Sequence, residues 1–142
     1  MTSARAAKRV GDIMTTQPKT VSPSTNVSDA YSLMIEGGFR HLVVMDGAQL
    51  VGVVSDRDIL KHMPPPSQAS IAAQGKFALT EVRELMSRPA LSVSAEDPIE
   101  DAIEMMLEES ISALVVSTAS NPAAGIVTLV DFARLLGQLL KH

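Results

Sequence analysis

Apolar positions along this chain follow two rhythms, helical and alternating, and the whole pattern occurs twice. Val27, Ala30, Tyr31 and Met34 fall at i, i+3, i+4 and i+7, which predicts an amphipathic helix with Gly37 as its stop. Ile99, Ala102, Ile103 and Met106 keep the same spacing, and Asp97 followed by Pro98 predicts a capped start. Two short apolar runs follow each helix and predict strands. They are His41 to Met45 and Gln49 to Val54, joined at Asp46-Gly47, then Ala113 to Ser117 and Ala124 to Val127, joined across Asn121-Pro122. A brief strand precedes each helix, at Thr20-Val21 and at Leu91-Ser92-Val93. Short helical turns open the two series at Val10 to Met14 and at Val82 to Met86, the second behind the cap candidate Thr80. Leu135, Leu136, Leu139 and Leu140 give the last helix a broad apolar face.

The two series are copies. Met14 and Met86 stand 72 positions apart, and Val21 and Val93, Asp29-Ala30 and Asp101-Ala102, Met34 and Met106 hold that offset. So do Leu42-Val43-Val44 and Leu114-Val115-Val116. By Gly52 and Gly125 the offset is 73, so the second copy carries one extra residue between its last two strands. Matching residue types in a held register indicate a tandem duplication. The expected organisation is a flexible tail over residues 1–9, repeat one over 10–63, a linker over 64–78 and repeat two over 79–142. Pro64-Pro65-Pro66 and the small polar residues after it predict a mobile loop in the linker.

One phrase carries candidate chemistry in both copies. Gly52-Val53-Val54-Ser55-Asp56-Arg57-Asp58 and Gly125-Ile126-Val127-Thr128-Leu129-Val130-Asp131 each run an apolar strand into a helix through Ser/Thr-x-x-Asp. The spacing is that of a capping box, with Ser55 or Thr128 as the cap and Asp58 or Asp131 reaching back. It also suits a polar ligand: a carboxylate accepts from two hydroxyls of a ribose, while the hydroxyl and free N–H groups suit a phosphate. Arg57 offers a fork of donors to phosphate oxygens or is a solvated arginine at a helix start, and its counterpart in the second copy is Val130. Arg40 and His41 form another cationic pair. Phe39 and Ile111 are apolar neighbours suited to an adenine face or to plain core.

Composition narrows the classes of function. Hydrophobic residues make up 46% of 142 residues, enough for a real core, and no run is long enough to span a membrane. The formal net charge of -4 and 3% aromatic content argue against broad nucleic-acid binding. With no Cys there is no disulfide framework, and the start of the chain lacks the apolar core of a secretory signal, which fits a cytoplasmic protein. His41, His62 and His142 are scattered, so no metal site is expected. No Gly-rich phosphate loop or activated nucleophile is present, so catalysis is not expected. Glu100, Asp101, Glu104, Glu108 and Glu109 read as a solvated helix face, and the eight Met residues read as core or a dimer seam.

Taken together, these phrases resemble a pair of cystathionine β-synthase (CBS) domains, the Bateman module, from about Val10 to Leu140. The resemblance rests on Gly11-Asp12-Ile13-Met14-Thr15, Thr20-Val21, Asp29-Ala30, Arg40-His41-Leu42-Val43-Val44 and Gly52 to Asp58. In the second copy it rests on Glu84-Leu85-Met86, Ser112 to Val116, and Gly125 to Thr128 with Asp131. It implies an α/β (α+β) fold of two tandem β-α-β-β-α units about a pseudo-two-fold axis, with sheets packed together and helices outside.

In that family, clefts between the halves hold adenosine-containing ligands, and the residues here divide by analogy into two sets. The first is Ser55, Arg57 and Asp58 with Ala90, Leu91, Ser92, Ile111 and Ser112. The second is Thr128 and Asp131 with Lys19, Thr20, Val21, Phe39, Arg40 and His41. The segments Lys19 to Val21 and Ala90 to Ser92 would read the edge of adenine with backbone groups, or are ordinary short strands. The expected function is a regulatory sensor that needs no cofactor and takes AMP, ADP, ATP, S-adenosylmethionine or NAD as ligand. The family implies a homodimer, and with no effector domain in the chain the signal is expected to pass to a protein in trans. The competing expectation is a ligand-free dimerisation scaffold with vestigial clefts.

Overall fold

A computed structural model describes residues 7–141. Residues 1–6 of the expected tail, and His142, lie outside the described residues. In order, the elements are β1 (Thr15–Thr16), β2 (Thr20–Val21), α1 (Val27–Gly37), β3 (His41–Asp46), β4 (Gln49–Ser55) and α2 (Asp56–His62). After them come α3 (Ile71–Ala78), β5 (Ser92–Ser94), α4 (Ile99–Glu109), β6 (Ala113–Thr118), β7 (Asn121–Thr128) and α5 (Leu129–Leu140). Single 3-10 turns at Val10–Asp12 and Val82–Glu84 are the short helical openings of the two copies. The fold is mixed α+β.

The chain forms two compact units, and neither coincides with a repeat. One unit runs from Lys19 to Ala90; the other joins the chain up to Pro18 with the chain from Leu91 onward. The first unit is built on a sheet of order β2-β3-β4, with β2 parallel to β3 and β3 antiparallel to β4. Val21, Val27, Ala30, Met34, Leu42, Val44, Val54 and Ile59 of copy one fill its core, and Val82 and Leu85 of copy two complete it. The second unit has a sheet of order β1-β7-β6-β5. There Val93, Ala102, Met106, Leu114, Val116 and Val127 pack around Val10 of copy one.

Each lead-in segment is therefore given to the other copy, and hydrogen bonds hold the exchange at matched positions. Val10 N donates to Asp97 O at 2.9 Å, and Val82 N donates to Thr25 O at 2.8 Å. Ile99 N donates to Lys8 O at 3.1 Å, as Val27 N donates to Thr80 O at 2.8 Å. Thr15 pairs with Ile126 as Ser87 pairs with Val53. Val10 and Val82 are both fully buried, and each such burial stabilises by roughly 1.5–3 kcal/mol. Lys8 and Arg9, expected in a flexible tail, are tied down: both backbone N–H groups donate to Asp12 Oδ2 at 3.0 Å. Those two bonds, Lys8 first, hold the Asp12 carboxyl below its ordinary value.

Local chemistry explains where the elements begin and end. Asn26 caps α1 by accepting from Asp29 N at 2.8 Å, and Gly38, at φ 70, closes it by donating to Met34 O. The helix thus runs through Gly37, the expected stop, to a left-handed residue one position later. Asp97 does not cap α4; its Oδ2 accepts from Ser94 N at 2.9 Å, and the helix starts behind Pro98. Thr80 likewise caps nothing downstream, since its hydroxyl donates back to Lys76 O at 3.2 Å. In the expected linker loop, residues 71–78 are instead helical. Ser70 Oγ accepts from Ala73 N at 3.1 Å, the helix-forming residues after it extend the turn, and Phe77 packs on the core of the first unit. β7 starts at Asn121, three residues before its expected start, because Asn121 pairs with Thr118 at the end of the β6–β7 ladder.

Candidate functional site

In the first unit, β4 ends at Ser55 and α2 begins at Asp56 without a connecting loop. Ser55 is extended, at φ -112 and ψ 165, and its hydroxyl accepts from Asp58 N at 3.1 Å. Asp58 Oδ2 returns the contact by accepting from Ser55 N at 2.8 Å. The capping geometry is therefore formed, and it uses one carboxylate oxygen. Strand pairing sets His41 opposite Ser55, and Asp56 N donates to Arg40 O at 3.0 Å. The same sheet brings in β2, where Val43 N donates to Lys19 O at 2.9 Å. Ser55, Asp58 and His41 are half-buried; Lys19, Thr20, Phe39, Arg40 and Arg57 are exposed; Val21 is buried in the core.

The electrostatics centre on His41. Burial pushes its pKa below the ordinary value, Asp56 and Asp58 pull it up, and Arg40 and Arg57 push it down. Asp56, which sequence reasoning passed over, accepts from Arg57 N through Oδ1 at 2.8 Å. His62 closes the turn at the far end of α2, with Nδ1 2.8 Å from Asp58 O.

The second unit repeats this backbone with different side chains. Thr128 is half-buried, and both its N–H and its hydroxyl donate to Asp131 Oδ2, at 2.8 and 3.3 Å. Ala113 pairs with Thr128, and Leu129 N donates to Ser112 O at 3.1 Å. Val115 N donates to Leu91 O at 3.1 Å, and Ser92 follows exposed on β5. Ile111 packs against the core of this unit. Val130 is exposed where the first unit has Arg57.

Inside each unit the ladders place several of the expected residues side by side. Arg40 and His41, expected in the Asp131 set, stand in the first unit, where the β3–β4 ladder pairs His41 with Ser55 and Asp56 N donates to Arg40 O. Ile111 and Ser112, expected in the Asp58 set, stand in the second unit, where Ala113 pairs with Thr128 and Leu129 N donates to Ser112 O. The physical reason is antiparallel pairing, which puts the start of the first strand against the end of the second. Ala90 belongs with the first unit, Leu91 and Ser92 with the second. Gly52 and Gly125 admit a close approach of the lead-in segments that sequence reasoning passed over. A Cβ on Gly52 would lie 2.6 Å from Met86 Sδ, and one on Gly125 would lie 2.5 Å from Met14 Sδ. The held offsets of those four residues were the available signal.

A groove of about 640 Å³ in the second unit, lined by Lys8, Arg9, Glu96, Ile103, Leu135 and Leu139 among others, contains none of the expected residues. Among the described residues no three His, Asp or Glu gather as metal ligands would, and no helix is long and apolar enough to cross a membrane.

A family model described as the CBS domain matches residues 10–65 and 82–138. A curated relative, the CBS domain-containing protein YhcV of Bacillus subtilis, is 35% identical over 124 residues, covering 87% of this chain and 82% of its own. Among solved structures, CBSX2 in complex with AMP is 33% identical with a TM-score of 0.74, over 94% of this chain and 99% of that one. The domain pair of protein MJ0100, in complex with 5-methylthioadenosine and S-adenosyl-L-methionine, is 26% identical with a TM-score of 0.74, over 91% and 95%. Longer enzymes are also similar, and in two of them the chain spans 24% of the protein.

Proposed function

The chain belongs to the CBS domain family, and from that premise we propose that it is a regulatory sensor of an adenosine-containing nucleotide of the AMP, ADP or ATP kind. The observation that carries the proposal is the pair of matched turns, Ser55–Asp58 and Thr128–Asp131. Each holds a half-buried carboxylate in the first turn of the helix that follows a strand, with a single oxygen engaged in the cap. The other oxygen and the adjoining hydroxyl offer a ribose diol the acceptors it needs. CBSX2 takes AMP, and the MJ0100 pair takes 5-methylthioadenosine and S-adenosyl-L-methionine. Adenosine is the moiety common to all three.

The protein acts without turnover, by population shift: a ligand favours the conformation it binds better, and a partner in trans reads the change. It works as a cytoplasmic homodimer. Exposed Ile103, Leu107, Leu136 and Leu140 on α4 and α5 support the dimer, since exposed apolar surface of this kind marks an interface. A ligand-free scaffold is the second reading. It is favoured by the capping bonds, which account for Asp58 and Asp131 on their own.

The test is a thermal-shift series on the whole chain with AMP, ADP, ATP, S-adenosylmethionine and NAD. A nucleotide at 100 times its dissociation constant should add about 2.7 kcal/mol. No shift with any of the five, in protein shown to be folded, would favour the scaffold.

A further inference from the structure

The two units are put together differently along the chain. The first is one continuous stretch, Lys19 to Ala90, so its lead-in, residues 82–87, follows α3 without leaving the unit. The second is discontinuous. Its lead-in, residues 7–16, is docked on the chain from Leu91 onward, and its covalent link to the rest of the described chain runs through Gln17 and Pro18. The docking contacts form a complete set within that unit. Val10 is fully buried, and Ile13 and Met14 pack beside it. Gly11 N donates to Ala95 O at 2.9 Å, Arg9 bridges to Pro98 and pairs with the Glu96 carboxylate, and β1 pairs with β7.

The link has no slack. Gln17 N still donates to Ala124 O of the second unit, at 3.3 Å, while Lys19 O already accepts from Val43 N of the first. Gln17 is held at φ 51, a left-handed conformation that its Cβ disfavours. It also precedes a proline, which favours extended backbone at its position. Release of the lead-in would let Gln17 return to that extended form. A second copy carries the same lead-in, and the slot on residues 91–142 meets the same groups whichever chain supplies it. The contacts are equal in the two arrangements, so the relaxed hinge of each copy is set against the high local concentration of a tethered segment. Resting on the homodimer reading above, we infer that two copies exchange their first lead-ins. Residues 7–16 of each copy then complete the second unit of the other, filling its core with Val10.

A disulfide placed across the slot tests this. The chain has no Cys, so a Thr15→Cys/Ile126→Cys variant carries thiols at one paired position of β1 and β7 and nowhere else. The whole chain is sized by light scattering over a range of concentrations, oxidised, and run denatured without reductant. The dimer fraction should run as two linked chains. Adding Gln17→Gly, which accepts the left-handed hinge without strain, should lower the linked fraction at least about fivefold. A dimer that separates into internally bridged chains would overturn the exchange and leave the homodimer reading standing. Internally bridged monomers at every concentration would overturn both. Thiols that stay unpaired in folded protein would overturn the exchange too, because position 15 meets position 126 in either arrangement.

Discussion

Met86 lies across Gly52, its Sδ 2.6 Å from the point a Cβ at position 52 would occupy, with Ser87 O at 2.9 Å from the same point. Met14 lies across Gly125 in the same way. The glycines let a lead-in segment from one copy close on a strand of the other, because any side chain there would meet sulfur and backbone together. Gly52→Ala should cost about 1–3 kcal/mol, as overpacking does. Urea unfolding of Gly52→Ala, Met86→Ala and the double variant should give a non-additive cycle, in which shortening Met86 recovers part of the loss. Additive costs would mean that the two residues do not press on each other.

The exchange of segments makes an unusual demand on hydrogen exchange. Val82→Ala should cost roughly 2–3 kcal/mol and lower amide protection chiefly in β3 and β4, which belong to the other copy. Val10→Ala should do the same in β6 and β7. Loss of protection confined to the copy that carries the substitution would contradict the packing of Val82 in the first unit and Val10 in the second.

Asp58 serves as a cap whatever else it binds. Asp58→Ala should therefore lower stability by about 1 kcal/mol without ligand, and it should also abolish the AMP-induced rise in melting temperature. The two effects separate when each variant's shift is read against its own unliganded melt. A variant that melts lower but keeps the full AMP shift would leave Asp58 as a cap alone.

His41 gives the fold a pH dependence of defined sign. Its pKa in the folded chain lies below the ordinary 6.5, chiefly because burial disfavours the charged ring. The unfolded chain therefore takes up the proton first. Stability should be at its full value above pH 6.5 and should fall as pH drops through 6.5 toward the lowered value. Urea midpoints measured between pH 8 and 5 should show this decline, and His41→Gln should flatten it. An unchanged slope in that variant would assign the decline to other groups.

Most of the element pattern was legible in the chain, since the signals are local. The spacing of Val27, Ala30 and Met34, the alternation about Val43 and Val53 and the Ser/Thr-x-x-Asp spacing all report on neighbours within a few positions. The misread boundaries have local causes as well. Asp97 and Thr80 had other backbone groups in reach, and Ser70 started a helix behind a proline run that reads as a break.

By itself the sequence determined the duplication, the family, the strands and helices of each copy, and the two carboxylates at matched turns. Tertiary structure alone decided which lead-in segment completes which core. The reason lies in the repeat. Val10 and Val82, like Met14 and Met86, are the same apolar residue at matched places, so either segment could fill either core as far as pattern reveals. The path of the chain breaks that degeneracy, setting Val82 in the core of the first unit and Val10 in that of the second.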